Sequence, residues 1–195
     1  MTPQAHGLFL REYLRDPLAI GSLVPDSKRC VQAIIKHVPF DSARIILEFG
    51  SASGAVTQEL TERKRENALL ICFEKNPHFS EALQKKIRGP NVILSGGDVL
   101  RANRFLRFQG ISKGTVDCII STLPCSNVDY QLVLNDSVIP WLKRDGLFVQ
   151  YMHVLSYLKG FSVAPILEKY FSHTVAEFVP FNLPPAIVYH CRRIT

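Results

Sequence analysis

The chain has 195 residues, 47% of them hydrophobic and 21% charged, which suits one α/β domain, residues 1–195, with a full core. No apolar stretch approaches the ~20 residues that a spanning helix needs, so the composition excludes a protein that crosses a bilayer. The formal net charge of +6 and the sequence pI near 9.2 favour a polyanionic partner, such as nucleic acid or an anionic membrane surface.

The first residues predict an amphipathic helix. Over residues 7–15 one face carries Phe9, Leu10, Tyr13 and Leu14, and the other carries Arg11, Glu12 and Arg15. Two interpretations remain open, a helix that caps the domain core and a helix that lies in a membrane interface with its arginines toward lipid headgroups. We therefore treat residues 1–38 as an N-terminal helical cap or membrane-docking segment. The charged residues also interrupt any signal-peptide core, which predicts a cytoplasmic protein.

Apolar runs of strand length then alternate with helical patterns. The predicted strands are RIILEF (44–49), LLICF (69–73), NVILS (91–95), VDCIIS (116–121) and GLFVQYMH (146–153). Helices are predicted over 55–65, over 78–88, and from 129 to Pro140, followed by a turn at Asp145-Gly146. Uninterrupted apolar strands that alternate with helices are typical of a parallel, doubly wound sheet.

The last part of the chain changes pattern. Two strand-like runs, 171–181 and 186–193, are joined through Asn-Leu-Pro-Pro, which predicts an antiparallel hairpin at the edge of the sheet. The predicted fold is therefore α/β: a Rossmann-like, doubly wound sheet of seven strands, mostly parallel, with a C-terminal antiparallel hairpin.

The cysteines do not form a metal-binding or disulfide pattern. They are odd in number, widely spaced and without a C-x-x-C pair, and no histidines lie at ligand spacing beside them: Cys30, Cys72, Cys118, Cys125 and Cys191. We predict buried, reduced thiols and no metal site.

A glycine-containing loop follows the first strand, in ILEFGSASGAVTQEL (46–60). The dinucleotide fingerprint G-x-G-x-x-G needs glycine at 50, 52 and 55, but alanine stands at 52 and 55, which disfavours a nicotinamide enzyme. The alternative pattern, acid-x-G-x-G-x-G, is matched by Glu48, Gly50 and Gly54, with Ala52 in place of one glycine. It is the loop with which class I methyltransferases bind S-adenosylmethionine, and small residues there allow close approach of the ligand.

Acidic residues follow the next two strands. Glu74 ends the second strand, where a carboxylate can accept both ribose hydroxyls of an adenosine. Asp98 follows the third strand and can accept from the adenine amine, and the loop after the fourth strand lies beside the transferred methyl. The predicted cofactor-binding residues are Glu48, Gly50, Ser51, Ala52, Gly54, Glu74, Lys75, Asp98, Val99, Ser121 and Leu123.

This order of motifs resembles class I methyltransferases over residues 40–155, and small bacterial phospholipid N-methyltransferases over nearly the whole chain. The marks of the second resemblance are FLREYLRDPLAIGSLVPDS, LEFGSASGAVT, STLPCSN and NLPPAIVY. It implies S-adenosylmethionine as the cofactor and a lipid amine at an anionic membrane surface as the substrate, phosphatidylethanolamine or a related lipid. It also implies that the segment before the fold docks on the bilayer and closes over the cofactor. Ala52 and Thr122 depart from that family, which usually has glycine at both positions.

Ribosomal RNA adenine dimethyltransferases are similar over the same core and provide an alternative. They carry Asn-Leu/Ile-Pro-aromatic after the fourth strand, whose ring stacks on a flipped base. This chain has Thr122, Leu123, Pro124 and Cys125, and a cysteine offers no stacking face. The local chemistry therefore favours a lipid over RNA. Two further alternatives remain: an enzyme that acts on a small-molecule amine, and a non-catalytic module that binds S-adenosylmethionine poorly. For the oligomeric state, we expect a monomer.

The acceptor amine must lose a proton before it attacks a sulfonium methyl group. Tyr151 and His153, at the end of the fifth predicted strand, are candidates to orient or deprotonate it, and Asn127 is a candidate to hold the acceptor loop. A structural role at a strand end is the alternative for Tyr151 and His153.

Overall fold

A computed structural model describes residues 27–125, 128–158 and 160–193. The strands are β1 (Ile45–Phe49), β2 (Leu69–Phe73), β3 (Val92–Ser95), β4 (Val116–Ser121), β5 (Leu142–His153), β6 (His173–Val179) and β7 (Ala186–Arg192). The α-helices are α1 (Lys28–Ile35), α2 (Ala55–Arg63), α3 (Pro77–Lys86), α4 (Ala102–Phe108), α5 (Tyr130–Val133), α6 (Val154–Leu158) and α7 (Ala164–Tyr170).

All these strands form one sheet, in the order β3-β2-β1-β4-β5-β7-β6. Strands β1 to β5 pair in parallel, whereas β7 pairs antiparallel with both β5 and β6. The predicted fold, including the C-terminal hairpin, is confirmed. Chain order reverses between β1 and β4, so the loops that follow these two strands meet at the switch point, where ligands of such sheets bind.

The sheet is covered on both faces, which explains the uninterrupted apolar runs. On one face Trp141 and Phe148 lie in a fully buried cluster, and on the other Ile34 of α1 and Leu60 of α2 cover the strands. The cysteines are all buried, as predicted. Helix α1 belongs to the predicted segment 1–38, and the predicted helix over 7–15 lies outside the described residues.

The fifth strand and the helix before it differ from the prediction. Strand β5 begins at Leu142, four residues before the predicted start, because Asp145 adopts a left-handed φ of +64° and lets the strand continue through an irregular register. The predicted helix from 129 to Pro140 is one α-helical turn, α5, followed by a π-helical turn, Leu134–Val138. A 3₁₀ turn, Val99–Arg101, and helices α4, α6 and α7 were not predicted.

Within the described residues, no helix is long and apolar enough to cross a membrane. The same part of the chain contains no cluster of three or more histidine, cysteine or acidic side chains placed to hold a metal ion.

Candidate active site

The loop between β1 and α2 has a backbone that only small residues adopt easily. Alternate residues have left-handed φ angles, +83° at Gly50, +44° at Ala52 and +78° at Gly54. A Cβ at Gly50 would lie 3.3 Å from both Leu123 Cδ2 and Thr122 Oγ1, and one at Gly54 would lie 2.5 Å from Leu83 Cδ2. The left-handed backbone therefore favours glycine at both positions, and a Cβ would also force the neighbouring side chains to shift.

Glu74 lies directly after β2 and points under the same loop. Its Oε2 accepts from the Ala52 N–H at 2.7 Å and its Oε1 accepts from the Asn76 N–H at 2.8 Å. Burial raises the pKa of Glu74, and the two backbone N–H groups partly oppose that shift. Both carboxylate oxygens are thus fixed in position, and each keeps a lone pair for a ligand hydroxyl. The neighbouring Lys75 is exposed.

Glu48 lies within β1, beneath the loop, and is fully buried. Its Oε2 accepts from the Thr57 hydroxyl at 2.7 Å and from the Ser51 hydroxyl at 2.9 Å. Burial raises the pKa of Glu48, and those hydrogen bonds partly oppose the shift. Glu48 therefore connects the loop, through Ser51, to helix α2, through Thr57. Sequence analysis placed it among the cofactor-binding residues, and its described hydrogen bonds support the loop from below.

The ends of β3 and β4 bring the other predicted cofactor residues to the same edge of the sheet. Asp98 Oδ1 accepts from the Leu100 N–H at 3.0 Å and caps the 3₁₀ turn, which buries Val99. Ser121 is fully buried at the end of β4, and its Oγ has no hydrogen-bond partner among the described residues. A buried hydroxyl without a partner costs free energy, so it marks a place where a bound molecule would gain a hydrogen bond.

Thr122 joins the loops at the switch point. Its Oγ1 donates to the Gly50 carbonyl at 2.6 Å, and its N–H donates to the Phe49 carbonyl at 2.9 Å. The residue that departs from the resembled family therefore holds the loop after β4 against the loop after β1. The half-buried Leu123 follows, and its carbonyl accepts weakly from the Cys125 thiol at 3.4 Å.

Gln150 is a buried polar residue that sequence analysis missed. It is fully buried in β5, where its Oε1 accepts from the Tyr130 hydroxyl at 3.0 Å and its Nε2 donates to the Tyr151 carbonyl at 2.6 Å. Its single polar side chain in the apolar run LFVQYM was the available signal. Gln150 therefore links β5 to Tyr130, the first residue of α5, close to the loop that follows β4.

The residues present fit S-adenosylmethionine. Glu74 would hold the ribose, because its oriented oxygens keep lone pairs. The backbone at Gly50, Ala52 and Gly54 would lie against the methionine end, because these three residues carry at most a methyl group.

Tyr151 and His153 lie together at the end of β5. The Tyr151 hydroxyl oxygen is 3.0 Å from His153 Nδ1 and 3.2 Å from Nε2. Asn182, in the loop between β6 and β7, donates from Nδ2 to the same oxygen at 3.2 Å. Tyr151 is buried and His153 is half-buried. The structure thus joins both predicted catalytic candidates with a third residue, whereas Asn127 lies outside the described residues.

The orientation of the Asn182 amide follows from its other partners. Its Oδ1 accepts from the Ser27 N–H at 2.8 Å, and its Nδ2 donates to the Pro184 carbonyl at 3.1 Å. A backbone N–H can only donate and a carbonyl can only accept, so the amide cannot be reversed. Asn182 therefore donates to Tyr151, whose hydroxyl oxygen also lies within hydrogen-bond distance of both His153 ring nitrogens. Sequence analysis quoted Asn182 within NLPP without assigning it a role.

Comparison with known proteins gives relatives of one class. No family model matches the chain. The ornithine lipid N-methyltransferase of Singulisphaera acidiphila is 27% identical over 190 residues, which cover 96% of this chain and 95% of that protein. The ribosomal RNA small subunit methyltransferase A of Thermotoga maritima is 24% identical over 147 residues, which cover 73% of this chain and 47% of that protein. The chain spans about half the length of this second relative.

Solved structures agree on the fold. A predicted O-methyltransferase from Agrobacterium tumefaciens superposes with a TM-score of 0.63 at 13% identity, covering 85% of this chain and 83% of that one. A precorrin-6y C5,15-methyltransferase from Geobacter metallireducens has a TM-score of 0.63 at 14% identity, covering 86% and 89%. At these identities the structures show the fold alone.

Fold, loop geometry and relatives together define the class: the chain is an S-adenosylmethionine-dependent methyltransferase. The predictions of an enzyme of this class and of its cofactor are confirmed. Its full-length similarity is to a lipid N-methyltransferase, and its core is also similar to RNA-modifying enzymes.

Proposed function

We propose that the enzyme N-methylates the amine headgroup of a membrane lipid, phosphatidylethanolamine or a related amino lipid. One observation carries the proposal: similarity to the ornithine lipid N-methyltransferase covers 96% of this chain, including regions on both sides of the shared core. Similarity to the ribosomal RNA enzyme covers 73%.

The loop after β4 supports a lipid over RNA. Cys125, at the position where the RNA enzymes carry an aromatic ring, is buried with its thiol directed to the Leu123 carbonyl. It offers no exposed face on which a flipped base could stack. Thr122 stands where the RNA enzymes carry asparagine, and its hydroxyl donates to the Gly50 carbonyl.

The reaction is a displacement at the sulfonium methyl group that bound S-adenosylmethionine supplies. Glu74 and the backbone from Gly50 to Gly54 bind and orient the cofactor, and Thr122 holds the two loops in register. The chain's contribution is chiefly approach geometry and exclusion of water, because the cofactor provides the electrophile.

Proton removal from the lipid ammonium is the step that side chains perform. The ammonium gives a proton to the Tyr151 oxygen as the Tyr151 O–H proton moves to the unprotonated nitrogen of His153. The result is a neutral amine, an unchanged tyrosine and an imidazolium, so charge and protons balance. Asn182 positions Tyr151 for this transfer, and the partial exposure of His153 lets the proton reach solvent.

We further propose that residues 1–195 act as one domain and as a monomer. In this arrangement residues 1–38 dock the protein at the cytoplasmic face of the membrane, and Asn127 holds the acceptor loop.

The test is methyl transfer from radiolabelled S-adenosylmethionine to acceptors offered in parallel: vesicles of phosphatidylethanolamine, vesicles of ornithine lipid, a ribosomal RNA fragment and a soluble primary amine. We expect labelled lipid, identified by thin-layer chromatography. Labelled RNA adenine without labelled lipid would replace the proposal with the RNA function. Label in the soluble amine alone would replace it with a small-molecule function.

A further inference from the structure

Five large apolar side chains are exposed at one end of the molecule. They are Leu155 (49% exposed), Tyr157 (54%) and Leu158 (72%) on α6, and Phe181 (68%) and Leu183 (71%) in the loop between β6 and β7. We call these residues the apolar patch. Single exposed apolar residues are ordinary on protein surfaces, whereas a group of this kind marks an interaction site.

The two segments of the patch are held together by backbone contacts. The Val154 N–H at the start of α6 donates to the Pro185 carbonyl at 2.9 Å, at the end of the β6–β7 loop. Strand register agrees, because His153 pairs with Ala186. The loop and the helix therefore emerge side by side at the carboxyl end of β5.

The two segments of the patch adjoin the proton-transfer candidates. Asn182 is buried between the two exposed loop residues and donates to Tyr151, so Phe181 and Leu183 project outward where Asn182 projects inward. Helix α6 begins at the residue after His153. A surface in contact with the patch is thereby next to Tyr151 and His153.

Positive charge lies beside the aromatic part of the patch. The Arg29 guanidinium stacks over the Phe181 ring, with 4.6 Å from Cζ to the ring centroid, and Lys28 and Arg29 are both exposed. Aromatic rings with neighbouring basic groups suit the headgroup layer of an anionic membrane, where the ring contacts acyl chains and the cations contact phosphates.

The chain also enters the fold at this point. The Ser27 N–H donates to Asn182 Oδ1, so residues 1–26, which include the predicted amphipathic helix over 7–15, join the described fold beside the patch. A docking segment that joins the fold at Ser27, beside the apolar patch, would act on the same partner as the patch.

We propose that the apolar patch is a bilayer-docking surface. Its side chains enter the boundary between headgroups and acyl chains, Arg29 contacts anionic headgroups, and the lipid amine is thereby brought to Tyr151 and His153. The inference rests on the proposed lipid substrate. RNA would be bound by basic and stacking groups around the acceptor loop, whereas aliphatic Leu155, Leu158 and Leu183 have no role against a phosphate backbone.

The first test measures sedimentation of the full chain with vesicles of phosphatidylcholine containing phosphatidylglycerol. Replacing Leu158→Ser together with Phe181→Ser removes one large side chain from each segment, and we expect the partition coefficient to fall about tenfold or more for the pair. Phe108→Ser is the matched control, because Phe108 is 86% exposed at the end of α4. The chain continues from there to the amino end of β4, which lies opposite the carboxyl end of the parallel strand β5. Equal partitioning of the double variant and the wild type, or an equal loss in the Phe108 variant, would overturn the proposal.

A second measurement does not depend on lost binding. Trp141 is the only native tryptophan and is fully buried, so an indole introduced by Phe181→Trp gives a distinct signal. We expect its emission to be quenched by vesicles with brominated acyl chains, and the indole introduced by Phe108→Trp to be unaffected. The indole at 181 could instead be shielded from solvent without vesicles and unaffected by adding them. That result would mean that the chain's own N-terminal segment or a second copy covers the patch, and it would overturn the proposal.

The outcomes also separate this proposal from the proposed function. Quenching at 181 without methylation of any lipid supports the docking surface and contradicts the lipid function. Methylation of lipid in detergent micelles, by a protein that neither sediments with vesicles nor is quenched by them, supports the function and contradicts the docking surface.

Discussion

Ala52 occupies a backbone position that glycine adopts more easily. A φ of +44° destabilises the folded state of an L-residue by about 1 kcal/mol or more. Replacing alanine by glycine relieves that strain, but it also destabilises the fold by about 0.4–1 kcal/mol, because the unfolded chain gains conformational freedom. We expect Ala52→Gly to leave the free energy of unfolding within about 1 kcal/mol of the wild-type value, and cofactor affinity equal or tighter. Chemical denaturation and calorimetry measure the two quantities. Ala55→Gly, in helix α2, is the contrast, because it should only destabilise, by up to about 1 kcal/mol. A large loss of affinity in Ala52→Gly would show that the loop is arranged differently.

Glu74 is the residue on which cofactor affinity should depend most. Removing a charged hydrogen-bond acceptor typically costs ~1.5–3 kcal/mol, so Glu74→Ala should weaken binding of S-adenosylmethionine about tenfold or more in calorimetry. Glu81→Ala removes an exposed carboxylate that pairs with Lys85 on α3, and it should leave affinity unchanged. Wild-type affinity in a folded Glu74→Ala protein would contradict the ribose assignment.

Tyr151 tests the proton route. Tyr151→Phe keeps the ring and removes the oxygen that Asn182 and His153 share. We expect kcat to fall about 10²-fold or more while cofactor affinity stays constant, and activity to recover partly at high pH, where the amine loses its proton without help. Tyr170→Phe, on α7, is the matched control. A wild-type pH profile in Tyr151→Phe would assign Tyr151 a structural role at the strand end.

At the scale of elements, the site depends on how the loops after β1 and β4 are joined. Thr122→Val preserves shape but removes the hydroxyl that donates to Gly50, which should lower the free energy of unfolding by about 0.5–1.5 kcal/mol and weaken cofactor binding several-fold. Thr122→Ser retains the hydroxyl and should stay close to wild type in both measurements. If the valine and serine variants behave alike, the hydrogen bond does not hold the loops together.

At the scale of the whole molecule, stability at acid pH should depend on His190, where strand β7 packs against helix α1. Burial and the neighbouring His37 and Lys36 lower the pKa of His190 to about 4, although Glu177 opposes the shift. Both ring nitrogens lack a hydrogen-bond partner among the described residues, and the His190 ring packs edge-on against His37.

The sign of the pH effect follows from that lowered pKa. Between pH ~6.5 and ~4 the unfolded chain binds a proton at His190 that the folded chain does not, so the free energy of unfolding falls as pH falls through this window. We expect His190→Leu to reduce that loss by about 1–3 kcal/mol, measured by urea denaturation at pH 7.5 and pH 4.5. His173→Leu, at an exposed position in β6, should leave it unchanged. An unaltered pH dependence in His190→Leu would contradict a neutral buried histidine.

The sequence alone determined the features that depend on local pattern. Strands LLICF and VDCIIS have the predicted bounds, because each is a continuous apolar run buried on both faces. Gly50 and Gly54 were found by spacing, since the left-handed backbone there restricts the residue type directly. The placement of Glu74 beside the loop after β1 was predictable from its position at the end of a strand, because the carboxyl ends of parallel strands share one edge of the sheet.

Only the tertiary structure decided which distant residues meet. Asn182 contacts Tyr151, 31 positions away, and Ser27, 155 positions away, because β7 inserts between β5 and β6 and returns the β6–β7 loop to the end of β5. Nothing in the local pattern specifies that strand order. Thr122 likewise contacts Gly50, 72 positions away in the sequence, only because β1 and β4 are neighbours in the sheet. A hydrogen bond between distant segments is specified by register and packing of the whole sheet, so no local period in the sequence reveals it.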